Sequence, residues 1–191
     1  MAKYDRRQRK AEYTFIIYPT EYTGHFDVKA EDGSTWIITS RDVEKYLNLP
    51  SMNINPLLQY LEVGAGLGEF TPLVVRNNPI NKPIVIDPAN YPLMLDLLRS
   101  AYKKNLKREL KERIGVLQER CETLLNPHKV NLINLTLEQA LEQHPELNGI
   151  ADVVVDNFGA IHYSSYTKEE RRQAIFRERR LTKSGRRVYI Y

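Results

Sequence analysis

The chain has 191 residues, a length typical of one domain, with 42% hydrophobic and 27% charged residues. These proportions lie near the globular average and exclude disorder as the main character of the chain. One cysteine, Cys121, excludes an internal disulfide and a multi-cysteine zinc site, and the histidines have no metal-ligand spacing. No apolar run reaches the length of about 18 residues that a membrane span needs. We therefore expect a cytoplasmic domain with no metal centre and no membrane partner.

The charge is unevenly distributed along the chain. The net charge is +4, but residues 1–10, 101–120 and 168–191 carry +4, +4 and +6, which leaves −10 on the remainder. Clusters of lysine and arginine of this kind suit an anionic partner such as RNA. In 101–120 the charges alternate at helical spacing, which favours a solvated helix face. For the C-terminal cluster both interpretations stay open.

The first part of the chain, residues 1–57, is predicted to form an extension of strands and one helix. YTFIIY (13–18) is a β-rich run, and HFDVKA (25–30) and TWIIT (35–39) predict two strands around a turn that contains Gly33. Ser40 is placed as the cap of a helix in RDVEKYLNL, which Pro50 would end. We expect this hairpin and helix to serve as a lid or as the cover of a sheet edge.

Residues 58–191 alternate short apolar runs with helical patterns. The runs are rich in Val, Ile and Leu, as parallel strands covered on both faces are, and occur at 59–66, 82–87, 129–135, 151–158 and 186–191. Helices are predicted at 70–76, over 91–125, at LTLEQALEQH and at 167–181. The 91–125 stretch is too long for one crossover helix, so Gly115 is a candidate break. The order predicts a Rossmann-like, three-layer α/β sandwich with a mostly parallel sheet.

The string YLEVGAGLGEF (60–70) contains the most informative motif. It lies where the first parallel strand passes into a helix, which is where open α/β sheets bind ligands. A dinucleotide fingerprint, G-x-G-x-x-G, would require glycine at position 69, which is Glu69. The carboxylate of Glu62, two residues before the loop, would repel a pyrophosphate and suits a cationic amino group. Nicotinamide and flavin binding are therefore disfavoured.

The motif E-x-G-x-G-x-G at 62–68 resembles the first motif of the class I S-adenosylmethionine-dependent methyltransferases. Further along, IVID, LINLTLEQAL, ADVVVDNFGAIHYS and LTKSGRRVYIY resemble that family's later motifs, in the correct order. The resemblance covers roughly 58–191 and implies a domain that binds S-adenosylmethionine. The family's fold usually continues into a C-terminal antiparallel hairpin, which we expect this chain to lack. The exposed sheet edge that would result favours homodimerisation or a cover from the N-terminal extension.

The resemblance also implies roles for individual residues. The glycine loop would pass under the methionine and ribose of the cofactor. Glu62 would help to hold its ammonium group, directly or through water, and Asp87 would accept hydrogen bonds from both ribose hydroxyls. Asp87 has the alternative role of a turn residue before Pro88, and Asn134, placed near the adenine, that of a cap or turn residue. The implied cofactor-binding residues are Glu62, Gly64, Ala65, Gly66, Gly68, Asp87, Pro88, Asn134, Leu135, Asp156, Asn157 and Phe158.

The methyl acceptor is less defined than the cofactor. The sequence Asp156-Asn157-Phe158-Gly159 lacks the prolines of the nucleic-acid base amino-methyltransferases. His162 resembles a loop histidine of small-molecule methyltransferases and is the candidate general base, with Tyr163 and Tyr166 beside it in the acceptor pocket. The alternative is that these side chains pack on the sheet edge. A small-molecule acceptor is the leading hypothesis; an RNA or protein acceptor, or an inactive relative that only binds cofactor or a partner, are the alternatives.

Overall fold

The computed structural model describes the backbone of residues 13–14, 23–29, 35–41, 54–78, 80–103, 105, 108–156, 159–163 and 167–190. Three N-terminal strands, β1 (Tyr13–Thr14), β2 (Thr23–Lys29) and β3 (Thr35–Arg41), form an antiparallel sheet of their own. Strands β2 and β3 overlap the two runs, 25–30 and 35–39, that the sequence predicts as strands. Ser40 and Arg41, predicted to start a helix, instead end β3 opposite Gly24 and Thr23, because their backbone groups complete that ladder.

Five parallel strands form the main sheet, in the order β6-β5-β4-β7-β8. Their bounds are Tyr60–Val63 for β4, Ile84–Ile86 for β5, Asn131–Ile133 for β6, Ala151–Asp156 for β7 and Thr182–Ile190 for β8. Val, Ile and Leu dominate these strands because both faces of the sheet are covered. The predicted α/β class with a Rossmann-like parallel sheet is confirmed.

Helices cover both faces of this sheet. Their bounds are Phe70–Asn77 for α1, Tyr91–Tyr102 for α2, Arg108–Leu124 for α3, Leu137–Gln143 for α4, Ala160–Tyr163 for α5 and Lys168–Leu181 for α6. Val85 of β5 lies in one apolar cluster with α2 and α3, and Val155 of β7 lies in another with α1. Leu61 of β4 and Val154 of β7 belong to a third cluster, which includes Leu181 of α6 and residues of α4. Alternate strand residues thus point to opposite layers, as the pleat requires.

Local signals account for the helix ends. Thr136 and Thr167 cap α4 and α6 with capping boxes that include Gln139 and Glu170. The long 91–125 stretch divides into α2 and α3 after Lys103, whereas Gly115, the predicted break, lies inside α3. The prediction about Gly115 was wrong because a helix tolerates one glycine at a modest cost.

The sequence did not predict α5, nor the start of β8 at residue 182. Within the described part of the chain, no helix combines the length and apolar character needed to cross a bilayer. The remainder of the predicted 41–49 helix and of the 13–18 strand lies outside the described residues. The lid and edge-cover roles of 1–57, and homodimerisation through the sheet edge, stay predictions.

Candidate functional site

The candidate site lies at the carboxyl ends of β4, the middle strand of the sheet, and of its neighbour β7. From β4 the chain builds outward through β5 and β6 on one side, and then crosses to place β7 and β8 on the other. This change of direction is a topological switch point, where the loops after neighbouring strands diverge and leave a crevice. The loops after β4, β5 and β7 carry most of the residues that the sequence predicts as cofactor-binding.

The loop after β4 turns on glycines with left-handed backbone angles. Gly64 has φ of 71° and Gly66 has φ of 52°, a region in which a side chain is strained. The N–H of Gly64 donates to the carbonyl of Ile86 at 2.9 Å, and the N–H of Gly68 donates to that of Ala65 at 2.9 Å. Ala65 is buried in the apolar core, so its predicted contribution to a ligand could come only from its backbone.

Asp87, at the end of β5, binds the glycine loop directly. Its Oδ2 accepts hydrogen bonds from the N–H of Gly66 at 2.8 Å and from the hydroxyl of Tyr91 at 2.9 Å. Its Oδ1 accepts the N–H of Ala89 at 2.8 Å. Burial of the Tyr91 ring, together with the negative charge of Asp87, raises the pKa of this phenol well above its ordinary value, which keeps it a donor. Asp87 thus joins the loop after β4 to the turn after β5.

Glu62 is fully enclosed within the sheet and is bound to the start of α1. Its Oε2 accepts the hydroxyl of Thr71 at 2.6 Å and the backbone N–H of the same residue at 3.2 Å. Glu69 holds the N-cap position of α1 but makes no capping bond with its side chain. The carboxylate of Glu62 therefore caps the helix by accepting one backbone N–H that has no acceptor within the helix. Sequence analysis missed Thr71, which lies one turn beyond the glycine motif.

A second glycine closes the base of the crevice. The backbone of Gly159, three residues after β7, packs directly on Gly64: a Cβ atom at Gly64 would overlap the Cα of Gly159 and lie 2.9 Å from its nitrogen. A Cβ atom at Gly159 would lie 2.7 Å from the carbonyl carbon of Val63. Both positions need glycine because two backbones meet there. Sequence analysis assigned no role to Gly159, because its contact with Gly64 exists only in the folded chain.

Asp156, the last residue of β7, holds the segment that contains Gly159. Its Oδ1 accepts the N–H of Gly159 and its Oδ2 accepts the N–H of Ile161 at 2.9 Å. It is 1% exposed, so its side chain is sealed below the crevice. The predicted residues His162 and Tyr163 lie in the short helix α5 that begins here. The predicted contacts of Asn157, Phe158 and Tyr166 lie outside the described residues.

The turn after β6 lies beside Asp87. The amide nitrogen of Asn134 donates to the carbonyls of Asp87 at 2.8 Å and Ala89 at 2.6 Å, which leaves Oδ1 for an external donor. Pro88 is exposed between them, and Leu135 packs partly buried against the core. Asn134 therefore acts as a turn residue, and this role is compatible with a contact to the adenine.

A cation that the sequence did not single out supports the glycine loop from behind. Arg120 of α3 is 7% exposed, and its Nη1 donates to the carbonyl of Leu67 at 3.3 Å. Its Nη2 lies 3.7 Å from Oε2 of Glu69. The sequence feature that could have identified Arg120 is its position on the apolar face of α3, beside Leu117, Cys121 and Leu124.

These residues fit the chemistry of S-adenosylmethionine. Hydroxyl and amino donors would meet acceptors at Asp87 and Asn134 beside the glycine loop, whereas Glu62, which is 1% exposed, would act on an ammonium group only as a nearby negative charge. Asp87 already accepts three hydrogen bonds and a carboxylate has about four acceptor positions. Its predicted binding of two ribose hydroxyls would therefore require one internal bond to be exchanged. No cluster of three or more His, Cys, Asp or Glu side chains that could hold a metal occurs within the described residues.

Comparison with known proteins adds no assignment. A scan against models of protein families finds none that matches the chain, and a search of curated proteins finds no match.

Proposed function

We propose that the protein is an S-adenosylmethionine-dependent methyltransferase that acts on a small molecule. The observation that carries the proposal is the direct bond from the N–H of Gly66 to Asp87. It joins a glycine loop and an acidic strand end into one unit at the switch point of a parallel sheet. This unit presents the carboxylate of Asp87, whereas the cation that contacts the loop, Arg120, is 7% exposed and is held by Leu67 and Glu69, which favours a cationic nucleoside over a phosphorylated one.

The cofactor, when bound, would supply an electrophilic methyl group. The protein's share of the reaction would be positioning and exclusion of water, since methyl transfer is an in-line displacement. Asp87 and Asn134 would orient the nucleoside, and Glu62 would offer negative charge near the amino acid end. His162 would take a proton from a hydroxyl or amine acceptor, and Tyr163 would line the acceptor pocket.

The test is calorimetric titration with S-adenosylmethionine and S-adenosylhomocysteine, with NADH as the control ligand. We expect binding of both adenosyl ligands, no binding of NADH, and at least tenfold weaker binding in Asp87→Asn. Asp96→Ala, which removes an exposed carboxylate on α2, is the matched control and should bind as the parent does. Failure of the correctly folded parent to bind either adenosyl ligand would contradict the proposal.

The acceptor requires a separate test. If His162 is the general base, His162→Gln should lower kcat while leaving cofactor affinity within twofold of the parent. An unchanged kcat on an identified acceptor would exclude this role. The general-base role of His162 rests on the resemblance of FGAIHYSSY to the histidine-containing loop of the family.

One surface favours RNA as a second candidate acceptor. Phe176 of α6 is 65% exposed, and it lies opposite the buried stripe of that helix. Arg172, Arg179 and Arg180 lie one turn away along the same outward face, and all three are exposed. An exposed ring among arginines suits single-stranded nucleic acid, because each stacked base contributes about 1–3 kcal/mol and the cations bind phosphate.

Binding of a fluorescent single-stranded RNA tests this second candidate. We expect affinity that falls steeply with salt and is weakened at least fivefold by Phe176→Ala and by Arg179→Ala. Val116→Ala removes another exposed apolar side chain, on α3, and should have no effect. No binding by the parent protein at low salt would exclude the RNA interpretation.

A further inference from the structure

Glu178 is a buried carboxyl group with no role in the site described above. It lies on α6 and is 0% exposed. Neither of its carboxyl oxygens has a hydrogen-bond partner among the residues that the structure describes. A buried ionised carboxylate without partners is so costly that the group normally takes up a proton or pairs with another group. The location of Glu178 therefore calls for a physical explanation.

The register of the sheet shows what Glu178 faces. Val63 pairs with Asp156, and alternation along β7 places Asp156 on the same face as Val154. That face packs in the apolar cluster that includes Leu181 of α6. Helical spacing places Glu178 on the buried stripe of α6, and its carboxyl group interacts with the carboxylate of Asp156. Two carboxyl groups thus meet under the carboxyl end of β7.

A proton reconciles this pair. Asp156 uses both oxygens to accept the N–H groups of Gly159 and Ile161, so it must offer lone pairs. With both groups ionised, neither could donate to the other. A proton on Glu178 makes it a donor to Asp156. Burial, and next the facing Asp156 carboxylate, raise the pKa of Glu178 to about 10, so the proton stays bound at neutral pH.

We propose that protonated Glu178 is a positioning residue of the crevice: it donates a hydrogen bond to Asp156, which in turn holds the Gly159 backbone against Gly64. The contacts within this chain support the positioning role. That the positioned segment contributes to ligand binding rests on the proposed function. Without the donor, Asp156 would be a buried carboxylate held by backbone N–H groups alone, and the 159–163 segment would open more often.

Other charged groups around α6 are engaged elsewhere. Arg177, next to Glu178, pairs with Glu138 of α4. Lys183, at the start of β8, pairs with Asp152 at 2.7 Å. Asp156 of β7 is therefore the titratable group that acts on Glu178 among the side chains described at this interface.

The test is hydrogen exchange at the backbone N–H groups of Gly159 and Ile161, measured by NMR without ligand. Two near-isosteric variants separate the hypotheses. Glu178→Gln keeps a donor that cannot ionise, and Glu178→Leu fills the space without a donor. We expect the glutamine variant to match the parent near pH 7, and the leucine variant to exchange at least tenfold faster at these two positions. The N–H of Val85 should be unchanged in all variants.

The pH profile and a surface control complete the experiment. After correction for intrinsic chemistry, protection in the parent should fall as pH rises toward 10, whereas protection in Glu178→Gln should not. Glu142→Gln, on the exposed face of α4, should behave as the parent. Protection in Glu178→Leu equal to that of the parent, or loss of protection in Glu178→Gln, would overturn the proposal. Because no ligand is present, these results stand whether or not the adenosyl titration succeeds.

Discussion

Substituting Gly64 by alanine tests whether the base of the crevice is a contact between two backbones. The new Cβ would overlap the Cα of Gly159, and Gly64 itself has a φ of 71°. Neither feature can relax by rotating a side chain, because only backbone atoms are involved. The same substitution at Gly115 is the matched control, since among the described residues the atom nearest to a Cβ there is Cε2 of Tyr102, at 3.8 Å.

The two substitutions are expected to change the free energy of unfolding in opposite directions. A left-handed backbone angle on a residue other than glycine costs about 1–3 kcal/mol. Forcing extra volume into a packed site costs about 1–3 kcal/mol more. Gly64→Ala should therefore lower the free energy of unfolding by about 2–6 kcal/mol. Gly115→Ala lies inside α3, where alanine exceeds glycine in helix propensity, so it should raise that free energy by about 0.5–1 kcal/mol.

Urea unfolding followed by circular dichroism measures both variants and the parent under one condition. If Gly64→Ala is too unstable to purify, the thermal midpoint in cell lysate supplies the comparison. Surface substitutions usually change the free energy of unfolding by no more than about 0.5 kcal/mol. A change of that size or less in Gly64→Ala would refute the packing of Gly159 on Gly64. A destabilised Gly115→Ala would refute the placement of that glycine inside a helix.

Three further predictions concern buried groups. Thr71→Val should lower the free energy of unfolding by about 1–3 kcal/mol because Glu62 loses its hydroxyl donor, while Thr123→Val on α3 should change it by less than about 1 kcal/mol in the same urea assay. Burial raises the pKa of the Cys121 thiol to about 12, so a thiol reagent should react with it only after unfolding in urea; rapid native labelling would contradict its burial. Glu178 keeps a proton in the folded chain that the unfolded chain releases above its ordinary pKa of 4.5, so its contribution to stability should fall as pH rises toward about 10, by at most about 1.4 kcal/mol per unit. Glu178→Gln should remove that slope between about pH 6 and pH 8, and parallel curves for the two proteins would contradict the assignment.

Much of the fold could be predicted because its signals are local. Apolar runs bounded by glycine or proline located β4, β5, β6 and β7 to within a few residues. The helices predicted at LTLEQALEQH and at 167–181 match α4 and α6 closely, because their signals, including a capping threonine, act on the next turn of the same helix. The break between α2 and α3 was misplaced at Gly115, since one glycine weakens a helix without ending it. The N-terminus of β8 was missed because LTKSGRR lacks the apolar character of a central strand.

The candidate site was predictable in part for the same reason. The E-x-G-x-G-x-G string and the aspartate after IVI are local patterns, and the parallel sheet brings them to one edge. What each carboxylate touches was not predictable, because the partners come from other elements. Thr71 binds Glu62 from α1, and Tyr91 binds Asp87 from α2.

The alternation of strand and helix, and the position of the glycine loop at the end of the first parallel strand, follow from local sequence. These properties follow from side-chain periodicity and backbone freedom, which act over a few residues. The tertiary structure alone decided that Gly159 meets Gly64 and that Glu178 meets Asp156. Glu178 lies on the buried stripe of α6 with Ala174 and Leu181, but helical spacing alone says only that a residue on such a stripe is buried. Which group it faces depends on strand order and register, and these are set by the packing of the whole sheet.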